Sequence, residues 1–151
     1  MEEKTMDTLA HASANAQGAA QPAYNRLATT TSLLKYTYAI VPIVAGLDKF
    51  THLLTDWNKY LAPVIADMLP FSVDTFMRVV GVIEIIAGIL VLLKPKIGAL
   101  VVSLWLVGIA FNLLLSGEYF DVAVRDLVMA IGAFSLYLLL PDREEAHREM
   151  H

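Results

Sequence analysis

Cysteine is absent from the 151 residues. That excludes thiolate nucleophiles, disulfide relays, cysteine-ligated iron–sulfur clusters and thioether-linked haem. Charge is also scarce: Asp, Glu, Lys and Arg make up 17% of the chain, and the formal balance is −4. A soluble domain carries about 25% charge, and a nucleic-acid binder needs a basic face, so no nucleic-acid partner is expected. What fills the chain instead is apolar. Hydrophobic residues reach 57% and the mean hydropathy is +0.58. A spanning helix needs roughly 20 apolar residues, so four of them would use about 80 and leave room for tails and short loops only. The expected fold class is therefore all-α, a four-transmembrane-helix bundle.

Residues 1–32 are polar and small, without the apolar run of a secretory signal, and read as a flexible cytoplasmic tail. Residues 33–140 form the expected membrane domain. Its spans are 33–54, 72–93, 97–116 and 119–140, with Pro42 inside the first and Pro141 stopping the last. Between the first two lies Thr55–Pro70, where Trp57, Tyr60, Leu61, Val64, Ile65 and Met68 recur at helical spacing. That pattern predicts a short amphipathic segment in the membrane interface, with one face able to form a lid. The link at Lys94-Pro95-Lys96 is so short that the second and third spans must be antiparallel neighbours. Residues 141–151 form a charged cytoplasmic tail. Its His147 and His151 are four apart, but no adjacent glutamate follows the zinc-protease pattern, so no metal is expected.

Orientation follows from basic residues near the span ends. Arg26, Lys35, Lys94, Lys96, Arg143 and Arg148 fall on one side, and only Lys59 lies in the opposite loops. Both termini are expected in the cytoplasm of a bacterial cell, with the protein multi-pass in the inner membrane.

Six charged residues fall inside the expected spans and beyond their first turns: Asp48, Lys49, Arg78, Glu84, Arg125 and Asp126. An unpaired charge near the bilayer centre costs at least roughly 2.5–3.5 kcal/mol. Five of the six lie towards the outer face. Glu84 is deepest, about 18 Å beyond Ser72 at about 1.5 Å per residue. Gly81 and Gly88 share its helix face, which marks close approach of another helix and points Glu84 into the bundle. Asp121 and Arg125, four apart, are expected to pair along the fourth span. His52, four residues after Asp48, reads either as a proton relay or as an interfacial side chain. Asn112 reads as glue between helices. Three acids and three bases can neutralise one another as architecture, or they can line a polar pocket that takes a quinone head group or passes protons.

Three short runs carry a resemblance: Ala45-Gly46-Leu47-Asp48-Lys49-Phe50 at the end of the first span, Arg78-Val79-Val80-Gly81-Val82-Ile83-Glu84-Ile85-Ile86-Ala87-Gly88 in the second, and Asp121-Val122-Ala123-Val124-Arg125-Asp126-Leu127 opening the fourth. In order and placement they resemble the DoxX-like small membrane proteins over residues 33–140. The resemblance implies a four-helix membrane bundle, in some relatives a membrane subunit linked to quinone or thiosulfate chemistry. The expected function is an accessory subunit of a larger redox or energy-converting membrane complex. It would bind no covalent cofactor, contact membrane lipid and other membrane-protein subunits, and hold quinone or lipid in an outer-half pocket. The alternatives are a stand-alone quinone-linked oxidoreductase and a transporter of protons or small solutes.

Overall fold

A computed structural model describes residues 2–141, with side chains for Met6 and from residue 21 onward. The chain divides after Leu33 into two compact units. The described residues are mostly helical and contain no strand. They form α1 (Glu2–Thr51), a 3-10 turn (Trp57–Tyr60), α2 (Pro63–Ala66), α3 (Val73–Leu93), α4 (Pro95–Ser116) and α5 (Phe120–Leu139).

Residues 2–32, read from the sequence as a flexible tail, have helical backbone geometry. Polarity suggested disorder, but the stretch is rich in alanine, the strongest helix former. A helix that extends an existing one also avoids the unfavourable nucleation step. The charged end of the chain, with His147 and His151, lies outside the described residues.

In the second unit the last part of α1 packs with α3, α4 and α5. Gly46 and Gly81 face each other so closely that a Cβ on Gly46 would meet the Gly81 carbonyl oxygen at 2.5 Å. Further along, Gly88 lies against Ala39 and Ile43. These pairings make α1 and α3 antiparallel and supply the neighbour implied by Gly81 and Gly88. On the other side, the Tyr38 hydroxyl donates to the Met129 carbonyl of α5 at 2.8 Å. The Ser103 hydroxyl of α4 donates to the Ala130 carbonyl at 2.9 Å. Gly98 of α4 sits against the backbone of Val91 in α3.

The element ends follow the local chemistry. Ser72 caps α3 by accepting from the Thr75 N–H at 3.2 Å. Lys94 alone separates α3 from α4, and Pro95 occupies the first position of α4, where its missing N–H costs nothing. Gly117, at φ 73°, closes α4 in the left-handed region.

Among the described residues, α3, α4 and α5 are long and apolar enough to cross a membrane. The α1 helix is not among them: Lys35, Asp48, Lys49 and its tyrosines dilute its apolar run. The packing is inverted relative to a soluble domain. Small residues fill the interior (Ala39, Ala87, Ala99, Ala110, Ala130, Ala133), while Ile86, Leu104, Phe111, Val128, Ile131 and Leu138 are exposed. Small side chains between helices and large apolar ones outside suit a hydrocarbon surround.

Candidate functional site: a cavity walled by a buried ion pair

A stripe of small residues on α3 brings its backbone against α1 and carries Glu84 into the interior. Glu84 and Lys49 are 6% and 3% exposed, and the Lys49 ammonium donates to Glu84 Oε2 at 2.6 Å. Two opposite charges so fully removed from solvent persist only as a pair, since either one alone would be uncompensated. The pair borders an open cavity of about 630 Å³ lined by α1, α3, α4, α5 and the segment between α1 and α3.

The lysine has a second partner. Its Nζ stands 3.8 Å from the centroid of the Trp57 ring, a cation–π contact that strengthens where water is excluded. The same indole donates its N–H to Asp48 Oδ2 at 2.7 Å. Consecutive residues of one helix thus hold one tryptophan, Asp48 by its edge and Lys49 by its face.

Asp48 also accepts from the Thr51 hydroxyl and from the backbone N–H groups of Leu53 and Leu54, at 2.8–3.1 Å. These bonds turn the chain out of α1. The turn is completed at His52, whose φ of 52° is left-handed, a region where histidine is enriched among non-glycine residues.

Asn112 bonds to neither neighbouring helix. Its carboxamide oxygen accepts from the Ala62 N–H at 3.0 Å, and its nitrogen donates to the Tyr60 carbonyl at 2.7 Å. It therefore clamps the 3-10 turn and α2 onto α4. The edge of Tyr60 against Tyr119, with centroids 4.8 Å apart, holds the same segment from α5. Thr55, Trp57, Tyr60, Leu61 and Ile65 line the cavity. Of the face read from the sequence, Trp57, Tyr60, Leu61 and Ile65 turn to the cavity, whereas Val64 and Met68 are exposed.

Of the candidate residues, Lys49, Glu84, Asn112, Arg125 and Asp126 line the cavity. Asp48 is buried beside it as the organiser of the turn. Arg78 and His52 do not line it. They meet on Asp74 instead, His52 Nε2 at 3.5 Å from one oxygen and Arg78 at 3.0 Å from the other, all partly exposed. Arg125 pairs with Asp121 at 3.4 Å along α5, as the four-residue spacing predicts, and its side chain is mostly exposed. Asp126 is half-buried, with Arg125, Glu84 and Lys49 as the charges that act on it.

Sequence reasoning passed over Trp57 and Trp105 as site residues. Trp105 lines the cavity, and its buried Nε1 lies beside the Glu84 carboxylate without closing a hydrogen bond. A signal for both existed. Tryptophan offers an N–H donor on an apolar ring, the complement of a buried acid in an apolar wall. Among the described residues no three histidine, aspartate or glutamate side chains gather as a metal ion would need.

Chemically, the arrangement offers the elements of a small-molecule pocket. Apolar walls accommodate a chain or ring, aromatic faces accommodate a flat head, and a few fixed donors and acceptors orient it. Compared with family models, curated proteins and solved structures, the chain matches none.

Proposed function

We propose that this chain is a DoxX-like integral membrane protein whose cavity holds the head group of a quinone or lipid. In this reading it is an accessory subunit of a larger redox or energy-converting complex in the bacterial inner membrane. One observation carries the reading: an apolar cavity of about 630 Å³ bordered by a fully buried Lys49–Glu84 pair and two indoles. A pocket of this size suits a small amphipathic molecule. Intramembrane ionisable residues facing a cavity commonly mark a ligand or ion pathway.

The fourth crossing is assigned to the part of α1 that lies antiparallel along α3, from Ala39 to Gly46 and on to Lys49. The excess of basic residues on the side of Lys94 and Lys96 puts that side, and both termini, in the cytoplasm. The resemblance to DoxX-like proteins rests on the three motifs. Lys49, Glu84 and Asp126, which they contain, are drawn to one cavity. The accessory role is read from the cavity's apolar and aromatic lining, which suits holding a head group.

Purification in mild detergent, followed by mass spectrometry of extracted small molecules and co-purifying polypeptides, tests both halves. A quinone or lipid and a stoichiometric partner should come with the wild-type chain. Gly108 lines the cavity, and a Cβ there meets nothing within 4 Å, so Gly108→Phe should fill the space, keep the fold and lose the small molecule. A chain that purifies alone, fully stable, with no extractable amphiphile, overturns the reading.

A further inference from the structure

Charge is divided unevenly along the bundle. Gly88 lies against Ala39, and Gly98 against Val91. At about 1.5 Å per residue, these crossings bring Lys35 of α1, Lys94 between α3 and α4, and Lys96 of α4 to within about 3 Å of one level. No acidic side chain among the described residues lies nearer that end than Glu84. In the opposite half the cations are met where they stand, Lys49 by Glu84, Arg78 by Asp74 and Arg125 by Asp121. Lys35 and Lys96 are half-buried, and their ammonium groups stand over the rings of Tyr36 and Tyr137, 5.9 Å and 5.2 Å from the centroids. Lysine stems laid along an apolar helix, with heads at a rim beside tyrosine, suit a membrane–water boundary.

We infer that this rim binds the phosphate of an anionic phospholipid, with Lys35, Lys94 and Lys96 as its cationic contacts. This is a second site, at the far end from the cavity. It rests on the chain crossing a membrane and not on what the cavity holds. Three ammonium groups at one level repel one another, and a headgroup of net negative charge among them turns that repulsion into attraction. A zwitterionic headgroup brings its own cation to the same place and gains less. Below the rim, Leu92, Leu93 and Ile97 are exposed and give the acyl chains an apolar surface. The basic excess assigns this side to the cytoplasm, and the leaflet that faces the cytoplasm is the anionic one.

The test uses the full chain in mild detergent, titrated calorimetrically with short-chain phosphatidylglycerol, short-chain phosphatidylcholine and inorganic phosphate. A lysine near an anionic lipid headgroup contributes about fivefold in affinity. Wild type should therefore bind phosphatidylglycerol between about ten- and a hundredfold tighter than phosphatidylcholine. Lys94→Gln should lower that preference about fivefold, and Lys35→Gln added to it should remove most of the remainder. Lys94→Arg should keep it, and so should Lys59→Gln, which removes a charge from the opposite end. Unchanged binding of phosphatidylcholine shows that a variant is folded. If a lysine variant fails to fold, the wild-type comparison and Gly108→Phe decide. Equal binding of the two lipids by wild type, or the same loss in Lys59→Gln, overturns the inference. Inorganic phosphate that binds as tightly as phosphatidylglycerol makes the rim a free-anion site and also overturns it. Gly108→Phe separates the two sites. A preference lost there and kept without Lys35 and Lys94 puts the lipid in the cavity, while a preference kept there leaves the rim standing whatever becomes of the cavity reading.

Discussion

At the end nearest Lys94, the helices meet through Ala39, Ala87, Ala99 and Ala133, with Val91 and Leu136 filling the gaps, and among the described residues no charge is buried there. At the other end the same four helices hold Lys49, Glu84, Asp126, two indoles and an inserted turn around a cavity. Tyr38, Ala87 and Val102 belong to both regions and form the boundary. The difference lies in what each end places between the helices. Small side chains let backbones touch and leave no space. At the cavity end Gly46 and Gly81 still keep α1 against α3, while aromatic and charged side chains line the gap towards α4 and α5 and the Trp57–Ala66 segment borders it. The closed end sets the register of the helices, and the open end uses that register to bring distant charges together.

The sharpest way to break this contrast is to treat the cavity end as though it were packing alone. Lys49→Met leaves Glu84 buried without its counter-charge, and losing one partner of a buried pair costs about 3–5 kcal/mol. Unfolding of the full chain in detergent should show that loss. The double variant Lys49→Met with Glu84→Leu should recover most of it, because an apolar pair of similar volume is tolerated where a lone charge is not. A single variant as stable as wild type would mean that the pair is wetter than its burial implies.

Asp48→Asn probes how the Trp57–Ala66 segment is hung. The carboxylate accepts from Leu53, Leu54, Thr51 and Trp57, and an amide oxygen is a weaker acceptor with a single site. Hydrogen exchange at the Leu53 and Leu54 amides should accelerate by roughly tenfold or more, and Trp57 emission should shift to the red. Protection at Ala130 and Ala133, in the closed end, should not change. Asn112→Ala is milder. It frees the Tyr60 carbonyl and the Ala62 N–H, two neutral hydrogen bonds, for a cost of about 1–2 kcal/mol. Its exchange signature should be confined to residues 60–66.

Whatever follows helix periodicity was legible at both ends. Apolar runs place α3, α4 and α5, and the three-to-four spacing of Gly81, Glu84 and Gly88 already fixes the face that meets another helix. Asp121 and Arg125 pair for the same reason. The cavity end depends on geometry that spacing does not carry. Arg78 lies six residues before Glu84, a rotation of about 240° around the helix at about 100° per residue, so the two cannot share a face. It turns to Asp74 instead. His52 sits four residues after Asp48, but the helix stops at Thr51 and a left-handed φ swings the imidazole outward. Trp57 reaches Lys49 through an irregular turn whose path is set by the hydrogen bonds of Asp48, and no periodicity describes such a turn.

The smallest expected effect falls on the boundary between the two regions, and it is the one that tests whether they are separable. The Tyr38 hydroxyl donates to the Met129 carbonyl, a group of α5 already within its helix, so the bond ties α1 to α5 at the level where the cavity begins. Tyr38→Phe removes one neutral hydrogen bond and should cost about 1 kcal/mol. Gly132 lies against the same hydroxyl, and a Cβ there collides with it, so Gly132→Ala should cost a similar amount by displacing the tyrosine. If the two act through that single contact, Gly132→Ala should cost little more once Tyr38→Phe has removed the hydroxyl, a non-additivity that a double-mutant cycle reads directly. Ligand affinity should stay within a few-fold of wild type throughout, because the polar groups that address the head lie further along the cavity on α3, α4 and α5. Additive costs, or a large loss of affinity in Tyr38→Phe, would show that the closed end and the cavity are a single unit whose packing and binding cannot be varied apart.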